Sequence, residues 1–288
     1  MTGLLPDEAD VDFADAGATL AALAPRIAQG EIVPYLGPGA LGADAPVPAS
    51  PEALAEFLGA KVALPARARG NVWAAAQFIE SRRHRNTVTA LMDEAFAPPV
   101  VPGPLHAALA RMGAPMIVST WYDAAMRRAL AEAGADFGEV QGITRAAIGE
   151  TEWYRFYDAA GDEVAAPAAW RTVLYTPHGG TRPAHNYLIS DADYVETLTE
   201  IDIQTPIPDI VAERRAGRSF LFLGCRFHDQ LLRTYARQIA KRSSGPHVAV
   251  FDPGTALTRN ERRFLAAEGI VPVAAPLVTL ASALLQPA

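Results

Sequence analysis

Cysteine is almost missing from this chain: Cys225 stands alone among 288 residues. One thiol excludes an internal disulfide and any four-cysteine zinc module. Lysine is nearly as scarce, since Lys61 and Lys241 are the only two among 25 basic residues. With abundant Ala, Gly and Pro, this arginine bias matches the codon usage of a GC-rich bacterium. Basic residues are also outnumbered by 32 acidic ones, giving a net charge of -7 and a pI near 5.4. That balance argues against a nucleic-acid partner, which calls for a basic face. Residues 1–17 lack the basic and apolar segments of a secretory leader, so a cytoplasmic protein is expected. Nor is there a long apolar run. Residues 269–285 come nearest, but the stretch is shorter than the ~20 residues of a membrane span and holds Pro272 and Pro276. It reads as a final strand followed by a short helix, and no membrane partner is expected.

Half the residues are hydrophobic, enough to bury a large core. Residues 1–18, carrying Asp7, Glu8, Asp10, Asp12 and Asp15, read as an acidic arm. Helices are predicted over 19–29 and 50–59, the latter with Ser50 as N-cap and Pro51 in its first turn. Between them 31–36 is a short apolar run with a β-branched centre, which suits a buried strand. Helical stretches over 72–81 and 87–96 follow one another without a strand, and Pro98, Pro99, Pro102 and Pro104 close the region. Residues 65–103 are therefore expected to form a small helical insertion, with the core domain made of 19–64 and 104–288. A helix over 105–111, a strand over 116–120 and a helix over 123–133 continue the chain. Further strands are predicted at 172–176, 187–190, 219–223, 247–251 and 270–273. The alternation indicates an α/β fold, a Rossmann-like parallel sheet with helices on both faces.

Ligands of such sheets bind outside the carboxyl ends of the strands, so the residues there are the candidates. Gly37-Pro38-Gly39-Ala40 follows the first strand. Its glycines allow a tight turn near a pyrophosphate, or only a tight turn, and Pro38 removes one amide donor. After the second strand, Thr120 and Asp123 could reach a ribose, or Asp123 could simply cap the next helix. His178-Gly179-Gly180 puts a histidine in a loop where catalysis is common. His178, His185, Asp191 and Asp193 fit no established metal spacing, so no metal is expected. Gly224-Cys225-Arg226 follows a later strand, with Arg226 placed for a phosphate or for a salt bridge. Asp252 is either a ribose-binding carboxylate or a turn residue before Pro253. The helix that follows Asp229 carries Leu231, Leu232, Tyr235 and Ile239 at core spacing.

Taken in order, these strand ends resemble the sirtuin-like NAD-binding family, in particular its prokaryotic members without a zinc module. The family's glycine turn after a "VPFL" strand resembles residues 33–39. Its "HxxLA…IxTTNYD" segment resembles residues 105–110 and 117–123. Its "HG" loop followed by "DY" resembles His178-Gly179 and the stretch to Tyr194, and its "FLGYS…D" segment resembles Phe222–Asp229. The resemblance implies NAD or ADP-ribose as the ligand, a small-molecule dinucleotide with no zinc. The pyrophosphate would lie on the turn of Gly37, Gly39 and Ala40, and the loops of Gly224 and Asp252 would hold the adenosine half. His178 would be the base at the nicotinamide ribose.

This chain departs from the pattern at three places. The family's asparagine is Trp121, and the serines expected in the two phosphate loops are Leu41 and Arg226, the latter a cation that could compensate. The expectation is a binding protein with weak or absent catalysis, a sensor or regulatory pseudoenzyme. The alternatives are an active NAD glycohydrolase or ADP-ribosyl-transferring enzyme using His178, and a structural protein whose crevice Trp121 closes. An indole pointing into the crevice would fill the nicotinamide pocket, whereas one packed in the core would leave it open. Protein deacylation is not expected without the zinc-supported lobe. The sequence leaves a protein partner or a homo-oligomer open.

Overall fold

A computed structural model describes residues 12–146, 151–200 and 207–285. Its strands are β1 (Ile32–Leu36), β2 (Met116–Ser119), β3 (Phe137–Gly142), β4 (Tyr154–Tyr157), β5 (Glu163–Val164), β6 (Thr172–Thr176), β7 (Gly179–Gly180), β8 (Asn186–Tyr187), β9 (Ser219–Leu223), β10 (His247–Phe251) and β11 (Ile270–Ala274). The helices are α1 (Ala16–Ala28), α2 (Pro51–Lys61), α3 (Val72–Arg83), α4 (Arg85–Ala95), α5 (Pro104–Met112), α6 (Ala125–Glu132), α7 (Asp191–Glu200), α8 (Asp209–Arg215), α9 (Gln230–Ala240), α10 (Arg259–Ala267) and α11 (Leu277–Leu284).

Nine strands make one sheet in the order β11-β10-β9-β1-β2-β6-β3-β4-β5. Every pairing from β11 to β3 is parallel, and β4 and β5 extend that edge antiparallel. β1, β6, β9 and β10 are buried along their whole length, as strands covered on both faces must be. β1 shows how the sequence does this. Val33 and Tyr35 enter one core with residues of α2, α3, α4 and α9, while Ile32 and Leu36 enter a second core with α1, α5, α6 and α11. The parallel sheet with helices on both faces is thus the Rossmann-like architecture expected.

Local chemistry sets the helix starts. Ser50 accepts the N–H of Ala53 at 3.1 Å ahead of Pro51, and Asn71 accepts that of Ala74 at 2.9 Å. α10 begins with a full capping box between Thr258 and Glu261. α3 and α4 follow each other around His84 and pack against α2 and α7. Arg85 fastens them to the sheet domain, donating to Asp193 at 2.8 Å and to the carbonyl of Tyr187.

Two expectations need correction. Residues 187–190 are not a strand of the sheet. β8 pairs only with β7 in a separate two-stranded hairpin, and Asp193 then accepts the N–H groups of Ile189 and Ser190 at the start of α7. A strand that was not predicted, β3, lies between β6 and β4 in the sheet. The expected arm reaches into α1, which Asp15 caps, while residues 1–11 lie outside the described residues. Among the described residues no helix is long and apolar enough to cross a membrane.

Candidate functional site

In the strand order, β1 lies between β9, which comes late in the chain, and β2, the next strand in sequence. The sheet therefore reverses direction of winding between β1 and β9, where a crevice opens at the carboxyl ends. A cavity of about 130 Å³ stands there. It is lined by Gly37, Gly39, Thr120, His178, Gly224 and Arg226 of the expected set, and by Tyr35, Ser50, Glu52, Cys225, His228 and Tyr235, which the sequence did not point to. Leu232 and Tyr235, expected to be core alone, form part of its wall.

The two glycine turns hold each other. The N–H of Gly37 donates to Leu223 and that of Gly39 to Gly224, at 2.9 and 3.0 Å, while the N–H of Ala40 donates back to Gly37. Gly224 has a φ of +63°, and a Cβ on it would stand 2.1 Å from the nitrogen of Ala40. A Cβ on Gly37 would stand 2.6 Å from the carbonyl oxygen of Gly224. These glycines are needed so that one turn can lie against the other. With Pro38 lacking an N–H, the turn's amides are spent inside the protein rather than turned toward a phosphate. Ala40 is not part of the cavity wall.

His178 is 3% exposed. Its Nδ1 lies 3.0 Å from the carbonyl oxygen of Thr120, which only accepts, so Nδ1 carries the proton. Thr120 is itself fixed, its N–H and hydroxyl both donating to the carbonyl of Leu36 at 2.9 Å. The imidazole lies edge-on to Tyr235, with centroids 4.5 Å apart, and beside Tyr194. Its Nε2 is buried without a hydrogen-bond partner. Burial brings the pKa down to about 4, against the pull of the Thr120 carbonyl. At neutral pH the site thus presents an uncharged imidazole with a bare acceptor. Cys225 is inert, its buried thiol pushed up to about 12.

Trp121 lines neither this cavity nor the neighbouring cleft. It is buried in the core, its Nε1–H donating to the carbonyl of Pro48 at 2.7 Å, with its ring against Phe96 and Tyr122. Asp123 lines a separate cleft of about 610 Å³ between the α4 end and α6. One oxygen accepts the N–H of Ala125 at 2.7 Å, and burial raises the carboxyl's pKa. Asp252 is exposed at the end of β10 and its carbonyl closes a turn with Thr255. Neither aspartate joins the His178 cavity.

Two basic side chains border the cavity. Arg226 forms a two-pronged pair with Glu261, at 2.8 and 2.9 Å, rather than standing free for a phosphate. Burial pushes the Glu261 carboxyl up, but Arg226 and the N–H groups of Thr258 and Phe227 outweigh it and hold the pKa at about 2. His228 Nε2 meets Glu52 at 2.9 Å. Of the four histidines and aspartates considered as metal ligands, His185 pairs with Asp93 and Asp193 with Arg85. Among the described residues no group of three or more His, Cys, Asp or Glu could hold a metal ion.

Residues 115–273 match the family model described as the SIR2-like domain, more than half of the chain. The chain belongs to the SIR2-like family. The matched segment holds Thr120, Trp121, His178, Gly224 and Arg226, while the Gly37 turn precedes it. A comparison with curated proteins finds no match.

Proposed function

We propose that this SIR2-like chain binds NAD or ADP-ribose at the carboxyl ends of β1, β2 and β9 and turns it over weakly or not at all. The observation that carries the reading is His178, a buried imidazole with an unpaired acceptor set in the cavity at the switch point. A buried acceptor without a partner costs about 1–3 kcal/mol, so a ligand hydroxyl that donates to it gains that much. A ribose hydroxyl has the right chemistry. Thr120 holds the tautomer, and Gly37 and Gly224 shape the floor. The core is formed by 19–64 and 104–288, with 65–103 as an insertion that buttresses it.

Two features support weak catalysis. A base with a pKa of about 4 is a poor proton acceptor at pH 7, where the most effective base is matched to the operating pH. The side chain at the family's asparagine position is tied to Pro48, and among the described residues no Asn or Gln lines the cavity to orient water or ribose. When bound, NAD would supply a nicotinamide–ribose bond cleaved through a cation-like state. His178 would at most accept a proton there through Nε2. The neutral, bare Nε2 is also the one observation that favours the alternative, an NAD glycohydrolase.

Calorimetric titration with NAD and with ADP-ribose tests the binding. Both are expected to bind the wild type, and His178→Ala to weaken each by about 10-fold, the equivalent of one hydrogen bond. Absence of heat and of thermal shift at millimolar ligand would contradict the proposal.

A further inference from the structure

The cavity is too small for what the family binds. A site for a drug-sized ligand has roughly 300–1,000 Å³, and a cavity near 150 Å³ takes a single benzene ring. At about 130 Å³ the site as it stands has room for a ring or a sugar, and a dinucleotide needs it widened.

Glu52 sits in the first turn of α2, at the cavity wall. Its carboxylate lies 2.9 Å from Nε2 of His228, and the nearby Ser50 and main chain of the first turn also favour its charged form. An imidazole, a hydroxyl and the amides at the N-terminus of a helix are the donors of an anion site. The second basic side chain is not available: Arg226 is held by two bonds to a fully buried Glu261, which also accepts two main-chain N–H groups. The His228–Glu52 contact is a single bond between side chains 31% and 58% exposed, so it is the exchangeable one. The bare Nε2 of buried His178 lines the same cavity and marks it independently as a place where a ligand belongs.

We propose that the Glu52 carboxylate is a built-in stand-in for a ligand phosphate, and that the diphosphate of an ADP-ribose-type ligand enters by displacing it from His228 and Ser50. The site rests on the NAD or ADP-ribose reading and assigns His228, rather than Arg226, as the phosphate cation. Exchange would swing Glu52 outward and enlarge the cavity along α2, while the Arg226–Glu261 pair stays in place. Affinity is thereby set by competition between two anions for one set of donors. Glu261 and Arg226 are the other charged groups that bear on His228, and they remain with it in both states.

Calorimetry with inorganic pyrophosphate, ADP-ribose and phosphate-free adenosine tests this on wild type, Glu52→Gln and Glu52→Gln/His228→Ala. Thermal melting should first show that each variant folds. Removing the carboxylate charge is expected to tighten pyrophosphate and ADP-ribose about 10-fold and to leave adenosine unchanged. His228→Ala should abolish the gain. If ADP-ribose binds wild type and Glu52→Gln equally, the exchange is overturned while the binding reading stands. An equal gain for adenosine would also overturn it, since the effect would then be one of space. If no variant binds any phosphate ligand, both fall.

Discussion

His106 and His178 are both buried, and burial brings each pKa down to about 4. Both therefore stay neutral in the fold while an unfolded histidine titrates near 6.5. Between those values the unfolded chain binds more protons than the folded one, so stability is lost as pH falls from about 6.5 toward 4. Glu261 adds a second loss at lower pH: its carboxyl is held at about 2, so its contribution is present above the ordinary carboxylate range and disappears as pH falls through about 2. His106 isolates the first effect, because its Nδ1 has no partner and it stands on α5, away from the cavity. Replacing it by leucine removes an orphaned polar group at similar volume. His106→Leu is expected to match or exceed the wild-type melting temperature at pH 7 and to lose less of it at pH 4.5. A steeper acid loss in the variant would contradict the assignment.

At the level of elements, the packing of the loop after β2 has a measurable consequence. Trp121 joins Phe96, at the end of α4, to Tyr122 and reaches Pro48 in the loop before α2. Trp121→Asn would remove this contact and bury a carboxamide, at a cost of about 3–5 kcal/mol. Denaturant unfolding is expected to show that cost, and nicotinamide release should not rise. A stable variant with restored release would mean that the side chain does face the ligand. The sequence marked this position but not its direction, because an indole fits either a crevice or a core and only the neighbouring Phe96 decides. The glycine turns were legible as turns for the same limited reason. That Gly37 and Gly224 serve each other depends on contact between two distant loops, which no local pattern encodes. Glu52 and His228 gave no signal at all, being ordinary surface residues until α2 folds against the β9 loop.

For the molecule as a whole, the apolar runs were enough to read β1, β2, β6, β9, β10 and β11, since strands buried on both faces are continuous in hydrophobicity. β3 escaped because it contains Gly138, Glu139, Gln141 and Gly142, residues poor in strand propensity. Tertiary partners hold it there: Glu139 pairs with Arg127 at 2.7 Å and accepts the hydroxyl of Thr176, and Gln141 donates to the carbonyl of Ala184. Residues 187–190 misled in the opposite sense, an apolar run spent on a helix entrance instead of a strand. The winding reversal beside β1 then brings His178, Thr120 and the two glycine turns to one cavity, and leaves Asp123 and Asp252 outside it.

The central proposal is that the site at the carboxyl ends of β1, β2 and β9 binds the dinucleotide without consuming it. Incubation of the protein with NAD, followed by chromatographic separation of bound NAD from free nicotinamide, tests it most directly. The expected result is NAD retained by the protein with nicotinamide at the level of the protein-free control. Sustained nicotinamide release by the wild type that is lost in His178→Ala would contradict it.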